Sequence, residues 1–317
     1  MKHLALIVCA AGLLLTGCDG GSTGTNSIPK QLPATWTVQA GASSQNEALQ
    51  GLEYYPATIT INVNDTVVWK FPAGEPHTVT FLGPQSSPPP PNDPNNPKPA
   101  GGTFYDGSTY TSSGFVLGGG TYRLTFTKAG TYKYYCLIHG EMVGTIVVQP
   151  KGSTYPQSQA QITSAGDTSM QSDLKSASNA LSLFPYTAGG SHLAAGLSQG
   201  LGVPPPGPSS VVRFLDGPNL TDTSVTVAAG TTITWTNLDS NLPHTVTFPA
   251  AGQNLPQMDP FSPPSGGTVY DGSTLVNSGP LMPGQSFSLT LMTPGTYTYY
   301  CLFHDDTENM IGTVVVQ

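Results

Sequence analysis

Cysteine, histidine and methionine crowd onto two short loops of this sequence. Cys136, His139 and Met142 stand in TYKYYCLIHGEMVGTIVV, and Cys301, His304 and Met310 stand in TYTYYCLFHDDTENMIGTVVV. Each loop also has an upstream histidine, His77 in EPHTVTF and His244 in LPHTVTF. Side chains alternate between the two faces of a strand. Tyr132, Tyr134 and Cys136 therefore share one face, and His77, Val79 and Phe81 share a face of another strand. If the apolar members face a core, the Cys136 thiol and the His77 ring point inward at one end of it. His139 and Met142 then enter from the turn that leaves Cys136. Four donors can meet at one point, and His244, Cys301, His304 and Met310 can do so in the second set.

Two imidazoles, a thiolate and a thioether do not suit a hard cation, which takes oxygen ligands. Structural zinc is held by four Cys and His ligands, without methionine. Two histidines and a cysteine with a weak axial methionine make a blue-copper electron-transfer site. Soft sulfur favours Cu(I), imidazole serves both oxidation states, and a rigid frame limits rearrangement between them. The two donor sets predict two copper ions. Unrelated buried side chains would have to reproduce all four donor types twice.

The frame is a tandem repeat. EPHTVTF (75–81) returns as LPHTVTF (242–248), GGTFYDGST (101–109) as GGTVYDGST (266–274), and YYCLIH as YYCLFH, in the same order. Period-two patterns mark half-buried strands of an antiparallel sandwich. Ile59, Ile61 and Val63 show it, as do Val67, Trp69 and Phe71, and Tyr122, Leu124 and Phe126. Ile233 and Trp235, then Phe287, Leu289 and Leu291, repeat it. The fold class is all-β, with one domain over 34–150 and another over 185–317. The polar segment 151–184 reads as a linker with one short helix from Thr168 to Leu183. The Pro-rich stretch from Gly83 to Ala100 is a long solvated insertion or a lid.

The chain has 317 residues, 9% of them charged, and a formal net charge of −8. That balance excludes nucleic acid as a partner, since nucleic acid selects basic surfaces. Gly and Pro are numerous (37 and 30), but a hydrophobic content of 38% fits loop-rich β domains better than disorder. Lys2 and the short apolar run from Leu4 to Leu15 read as a signal peptide over 1–17. The run ends in LTGC, which resembles the bacterial lipobox. That resemblance implies cleavage before Cys18, lipid on Cys18 and a flexible tether over 18–33. The protein is then exported and lipid-anchored to the cell envelope. Cys9 leaves with the signal, so Cys136 and Cys301 are the remaining thiols. A disulfide between them would not require their equivalent places in two repeats.

Together, YYCLIHGEMVGTIVV and the upstream PHTVTF resemble the cupredoxins of the plastocyanin and amicyanin type, over most of the mature chain. The resemblance implies two Greek-key β-sandwiches in tandem, each with one copper, and a blue-copper electron carrier. Its first loop, Cys136-x2-His139-x2-Met142, has amicyanin-like spacing. The second, Cys301-x2-His304-x5-Met310, is slightly longer than plastocyanin's, so Met310 is the least secure ligand; Asp305, Asp306 and Glu308 are poorer alternatives because carboxylates are harder.

In plastocyanin-like proteins the downstream histidine reaches the surface and passes electrons, a role that falls on His139 and His304. Leu137 and Ile138, and Leu302 and Phe303, then form docking patches, while Tyr135 and Tyr300 match a second electron port. Asp305, Asp306 and Glu308 would make an acidic rim that steers a basic partner such as a cytochrome. The partners implied are redox proteins, such as cytochromes or membrane electron-transport complexes. Copper oxidases and nitrite reductases share a multidomain plan, but they carry a histidine beside the blue-site cysteine. Here those neighbours are Tyr135, Leu137, Tyr300 and Leu302. Of six histidines, His3 lies in the signal and four are committed, which leaves His192. No type 2 or trinuclear ligand set remains, so the reading is a carrier, not an enzyme. The alternative is a protein that stores or delivers copper at the envelope.

Overall fold

Alternation of apolar and polar residues becomes alternation of burial. In the strand Thr66–Lys70, Val67 and Trp69 are buried, and in Thr121–Phe126 Leu124 and Phe126 are buried. The opposite faces are polar: Thr232, Thr234 and Thr236 pair through their hydroxyls with Thr290, Ser288 and Ser286, each at 2.8 Å. Such cross-strand pairs fix register on the face that packing does not. The computed structural model describes residues 32–317 except 73, 86, 90–97, 184–190, 199–207, 218–219 and 221–222. The expected signal, Cys18 and most of the tether, and much of the Pro-rich stretch lie outside the described residues. Among those described, no helix is long and apolar enough to cross a membrane.

Each repeat is a β-sandwich. One has a six-stranded sheet in the order Thr58–Asn62, Val143–Gln149, Gly130–Tyr135, Thr80–Phe81, Thr111–Ser113 and Pro99–Ala100. The other has a five-stranded sheet in the order Thr223–Val227, Ile311–Val316, Gly295–Tyr300, Thr247–Phe248 and Val276–Asn277. Their second layers fuse into one ten-stranded sheet. Its order is Val269–Tyr270, Ser286–Leu291, Thr231–Leu238, His192–Ser198, Ser209–Leu215, Leu49–Tyr55, Thr35–Ser43, Thr66–Lys70, Thr121–Phe126 and Phe104–Tyr105. Each core is built on a tryptophan: Trp69 packs on Phe81 and Tyr134, and Trp235 on Phe248 and Tyr299, with ring centroids 5.3–6.0 Å apart. Aromatic pairs at this spacing add to the burial of their area.

The seam of the fused sheet has two-fold character. Tyr54 packs on Tyr134 at 4.4 Å and Phe214 on Tyr299 at 4.5 Å, so Tyr54 and Phe214 are equivalent places in the two repeats. Their strands pair antiparallel, Ser209 opposite Gly51, Ser210 opposite Gln50 and Val211 opposite Leu49. Counted from Tyr54 and Phe214, Gln50 and Ser210 are equivalent, and the flanking pairs are reciprocal. That is the signature of an isologous contact. The seam is also tied by Leu52 N–H to Pro208 O (2.7 Å), Val212 N–H to Ala48 O (2.8 Å), and buried Arg213, which donates to the carbonyls of Asn46 and Glu308.

The segment expected to be a linker is a 25-residue helix, Gln159–Leu183, packed on this seam. It begins well before Thr168 because Ser158 and Gln161 form a capping box. The Gln161 N–H reaches Ser158 Oγ (3.3 Å) and the Ser158 N–H reaches Gln161 Oε1 (2.9 Å). Ile162 enters the first core, whereas Ala177, Ala180 and Leu181 pack with Ala194, Leu197, Val211 and Leu215 of the second repeat. The helix therefore straps both repeats. Ser158→Ala should lower stability by about 1 kcal/mol, read as a shift of the urea midpoint at constant slope.

Candidate metal centres

Both sets of three donors converge. Around the first point, Cys136 Sγ lies 3.9 Å from His77 Nδ1 and 3.5 Å from His139 Nδ1, and the two Nδ1 atoms are 3.0 Å apart. Around the second, Cys301 Sγ lies 3.7 Å from His244 Nδ1 and 3.2 Å from His304 Nδ1. Ligands bonded to one ion at about 2.0–2.3 Å in a trigonal plane stand roughly 3.5 Å apart, so the donors are already spaced for a shared ion. All six residues are buried.

The backbone explains the convergence. Cys136 follows the strand Gly130–Tyr135, and Cys301 follows Gly295–Tyr300. His77 and His244 are held by bridges to Val116 and Leu281. The N–H of Thr78 points at Cys136 Sγ (3.4 Å), and that of Thr245 at Cys301 Sγ (3.3 Å). The Thr78 and Thr245 hydroxyls accept the N–H of Leu137 (2.8 Å) and Leu302 (2.7 Å), which pins each ligand loop to the histidine strand.

Met142 and Met310 are buried at equivalent backbone places: Cys136 N–H donates to Met142 O (3.0 Å) and Cys301 N–H to Met310 O (3.1 Å). The longer second loop is absorbed in its turn, where Asn309 has φ 56°, and the Met310 backbone keeps the hydrogen bond that Met142 makes in the first repeat.

Two residues that sequence reasoning passed over also shape the sites. Gly41 and Gly196 sit at β-bulges with φ 71° and 74°. A Cβ at either would overlap the Nε2 edge of His77 or His244. The available signal was a glycine inside a strand, which marks a bulge or a close approach.

The downstream histidines differ from expectation. His139 and His304 are 3% and 2% exposed, so neither ring is a surface port. They point into the seam, where the buried Glu75 lies between them: His304 Nε2 is 2.9 Å from Glu75 Oε1 and His139 Nε2 is 4.0 Å from Oε2. The isologous seam causes this, because it turns equivalent ends of the two sandwiches toward each other. The proposed docking residues, Leu302 excepted, are covered to the same degree as Tyr135 and Tyr300. Leu302 is buried, Leu137 and Ile138 are half-buried, and Phe303 is half-covered by an edge-on contact with Phe261 at 5.1 Å. Glu308 is buried and belongs to no rim, whereas Asp306 is exposed and Asp305 half-buried. Tyr135 and Tyr300 remain half-exposed. His192 is exposed and far in sequence from either cluster.

Charge accompanies the geometry. Burial would push both thiols up, but the charge of His139, with hydrogen bonds from His139 and His77, holds Cys136 well below its ordinary value. His304 and His244 bring Cys301 down to about 5 against the same burial effect. Both thiols are thereby brought toward the thiolate form that binds a metal. Burial pulls the histidines down; His77 stays lowered, whereas His244 is raised by Asp239 and Cys301. Asp239 Oδ2 is 3.7 Å from His244 Nε2, and His77 has no such ion pair among the described residues. Burial would raise Glu75, but the charge of His304 and a contact to it, then His139, bring it down to about 2. Glu308 is pushed up to about 8 by burial and then by Glu75.

Comparisons with known proteins agree with this chemistry. A family model for copper binding proteins of the plastocyanin/azurin family matches residues 40–149 and again 219–317. The strands His192–Ser198 and Ser209–Leu215 complete the second sandwich outside that match. Plastocyanin of Scenedesmus fuscus is 35% identical over 96 residues, which span 30% of this chain and 82% of that protein. Amicyanin of Paracoccus denitrificans is 28% identical over 144 residues, 44% of this chain and 93% of that protein. A Cu(I) amicyanin structure covers 36% of this chain at 23% identity, with a TM-score of 0.26.

Proposed function

Because the chain belongs to the plastocyanin/azurin family of copper-binding proteins, we propose that it is a blue-copper electron carrier with one centre in each repeat. Copper is its cofactor, and the two His–Cys–His clusters are where it is held. In this reading Met142 and Met310 would supply a weak thioether donor to each centre. The carrying observation is the preset, buried donor geometry, repeated at the same end of both sandwiches. Bound there, copper supplies a one-electron couple. The chain keeps donor positions fixed, excludes water, and holds the thiolates deprotonated. A carrier needs that rigidity, because each oxidation-state change then demands little movement.

With His139 and His304 enclosed, we assign exchange with outside redox proteins to Tyr135 and Tyr300, each next to a ligand cysteine and half-exposed. Envelope attachment through lipid on Cys18 is part of the same reading. A chelator challenge during repeated reduction and reoxidation tests the function. A carrier keeps both coppers through many cycles. Ready loss of copper to the chelator on reduction would instead mark a protein that stores or delivers the metal.

Asp239 makes the two centres unequal. A carboxylate behind a ligand imidazole raises its basicity and favours Cu(II). The second centre should therefore have the lower reduction potential, and Asp239→Asn should raise it. The shift is about 59 mV for each tenfold change in the relative affinity for Cu(II) and Cu(I). Separate potentials for the two sites, measured in the single-site Cys136→Ser and Cys301→Ser chains, check this ordering.

A further inference from the structure

We propose that Glu75 is the internal electron bridge between the two centres, so that each repeat is the other's redox partner. The proposal rests on the reading of both clusters as electron-transfer copper sites. In each, Nδ1 belongs to the donor cluster, so the proton of the ring is on Nε2. Both Nε2 atoms face one carboxylate, at 2.9 Å for His304 and 4.0 Å for His139. A carboxylate has an acceptor oxygen for each ring. Glu75 is 5% exposed, and the two rings are buried at the same seam, so no bulk water separates the three groups.

Symmetry accounts for a single bridging residue. The isologous pairing about Gln50 and Ser210 brings like ends of the sandwiches together. Near such an axis one side chain meets both partners. Aligned on the histidine motif, the place of Glu75 is taken in the second repeat by Leu242, which is buried in the second core. The seam thus has one carboxylate against the His304 ring and within ion-pair distance of the His139 ring.

The step is a one-electron exchange. With copper held by His77, Cys136 and His139 and by His244, Cys301 and His304, one electron would pass from the reduced centre to the oxidised one, so that one is oxidised as the other is reduced. No bond is made or broken, and the two Nε2 protons stay in place. Glu75 is a positioning residue: it holds the His304 imidazole and is the group that lies between it and the His139 imidazole.

Pulse radiolysis of the two-copper protein with less than one electron per chain tests the proposal. After the bimolecular reduction, a first-order phase independent of protein concentration should follow as the electron redistributes. Glu75→Leu breaks both contacts and should slow that phase by about tenfold or more, equivalent to ~1.4 kcal/mol in the activation free energy. Glu75→Gln offers only one acceptor oxygen and should slow it by a smaller factor. Site potentials measured in each variant separate a change of driving force from a change of contact. In the copper-free chain, ring nitrogen NMR should show His139 and His304 both altered by Glu75→Gln and His192 unaltered.

An internal phase that is absent in the parent chain, or equally fast in both variants, overturns the bridge. Histidine resonances insensitive to Glu75→Gln do the same without any copper present. A parent chain with no thiolate-to-copper absorption at all refutes the underlying copper-carrier reading, a distinct failure.

Discussion

Cys136→Ser removes one copper centre and leaves the other, and Cys301→Ser does the reverse. Each variant should bind one equivalent of copper with half the thiolate-to-copper absorption of the parent, and the double variant should show none. The reason is chemical. A serine hydroxyl is a harder donor and stays protonated at neutral pH, whereas the two histidines beside each cysteine lower its thiol pKa against the effect of burial. Independence follows from the fold: all three donors of a cluster come from one repeat, at one end of its own sandwich. Both thiols are free and buried, so neither change breaks a disulfide. The hydroxyl left in a dry site costs about 1–3 kcal/mol, and circular dichroism separates that loss from loss of metal. Absorption that vanishes completely in either single variant would contradict separate centres.

Gly41→Ala and Gly196→Ala should each disable one centre without touching a ligand. Both glycines have a left-handed backbone, at φ 71° and 74°. A side chain there costs roughly 1–2 kcal/mol in backbone conformation alone. The added methyl also overlaps the ring of His77 or His244. Relieving that overlap moves the imidazole away from the cysteine or shifts the bulge, an overpacking cost of about 1–3 kcal/mol more. The expected result is weaker copper binding at the matching site and a lower unfolding midpoint, with the other site unchanged. Site-resolved copper titration in the presence of a competing chelator checks it. An unchanged affinity at the altered site would mean that the close approach of the ring to the bulge has no part in holding the donor.

The donor sets were legible in sequence because both periodicity and chemistry are local. Strand parity places Tyr134 and Cys136 together, and Cys-x2-His returns the chain to the same point. The duplication was equally legible from repeated words such as YDGST. The orientation of His139 and His304 was not. Whether a ligand ring meets solvent or a second domain depends on pairing Leu49–Tyr55 with Ser209–Leu215, strands some 160 positions apart. Nothing in either segment announces that contact, and reading surface ports from single-domain relatives put the rings on the wrong side of it.

Glu75 was visible as a difference between EPHTVTF and LPHTVTF, yet its meaning lies in the seam. The full extent of the helix Gln159–Leu183 is hidden in the sequence for another reason. Its sequence is polar and has no acidic first turn or basic last turn, so its start is marked by the capping box at Ser158 and Gln161 alone. The apolar face is narrow because small side chains, Ala177 and Ala180 among them, are enough against the sheet.

The most direct test of the two-centre carrier is a reductive titration of the copper-loaded chain without residues 1–18, followed by visible absorption with copper and electrons counted together. An intense thiolate-to-copper band from two coppers per chain is expected. It should bleach with two electrons, in two steps led by the first centre, and return in full on reoxidation with both coppers retained. Copper bound without that band, or released when the chain is reduced, would contradict it.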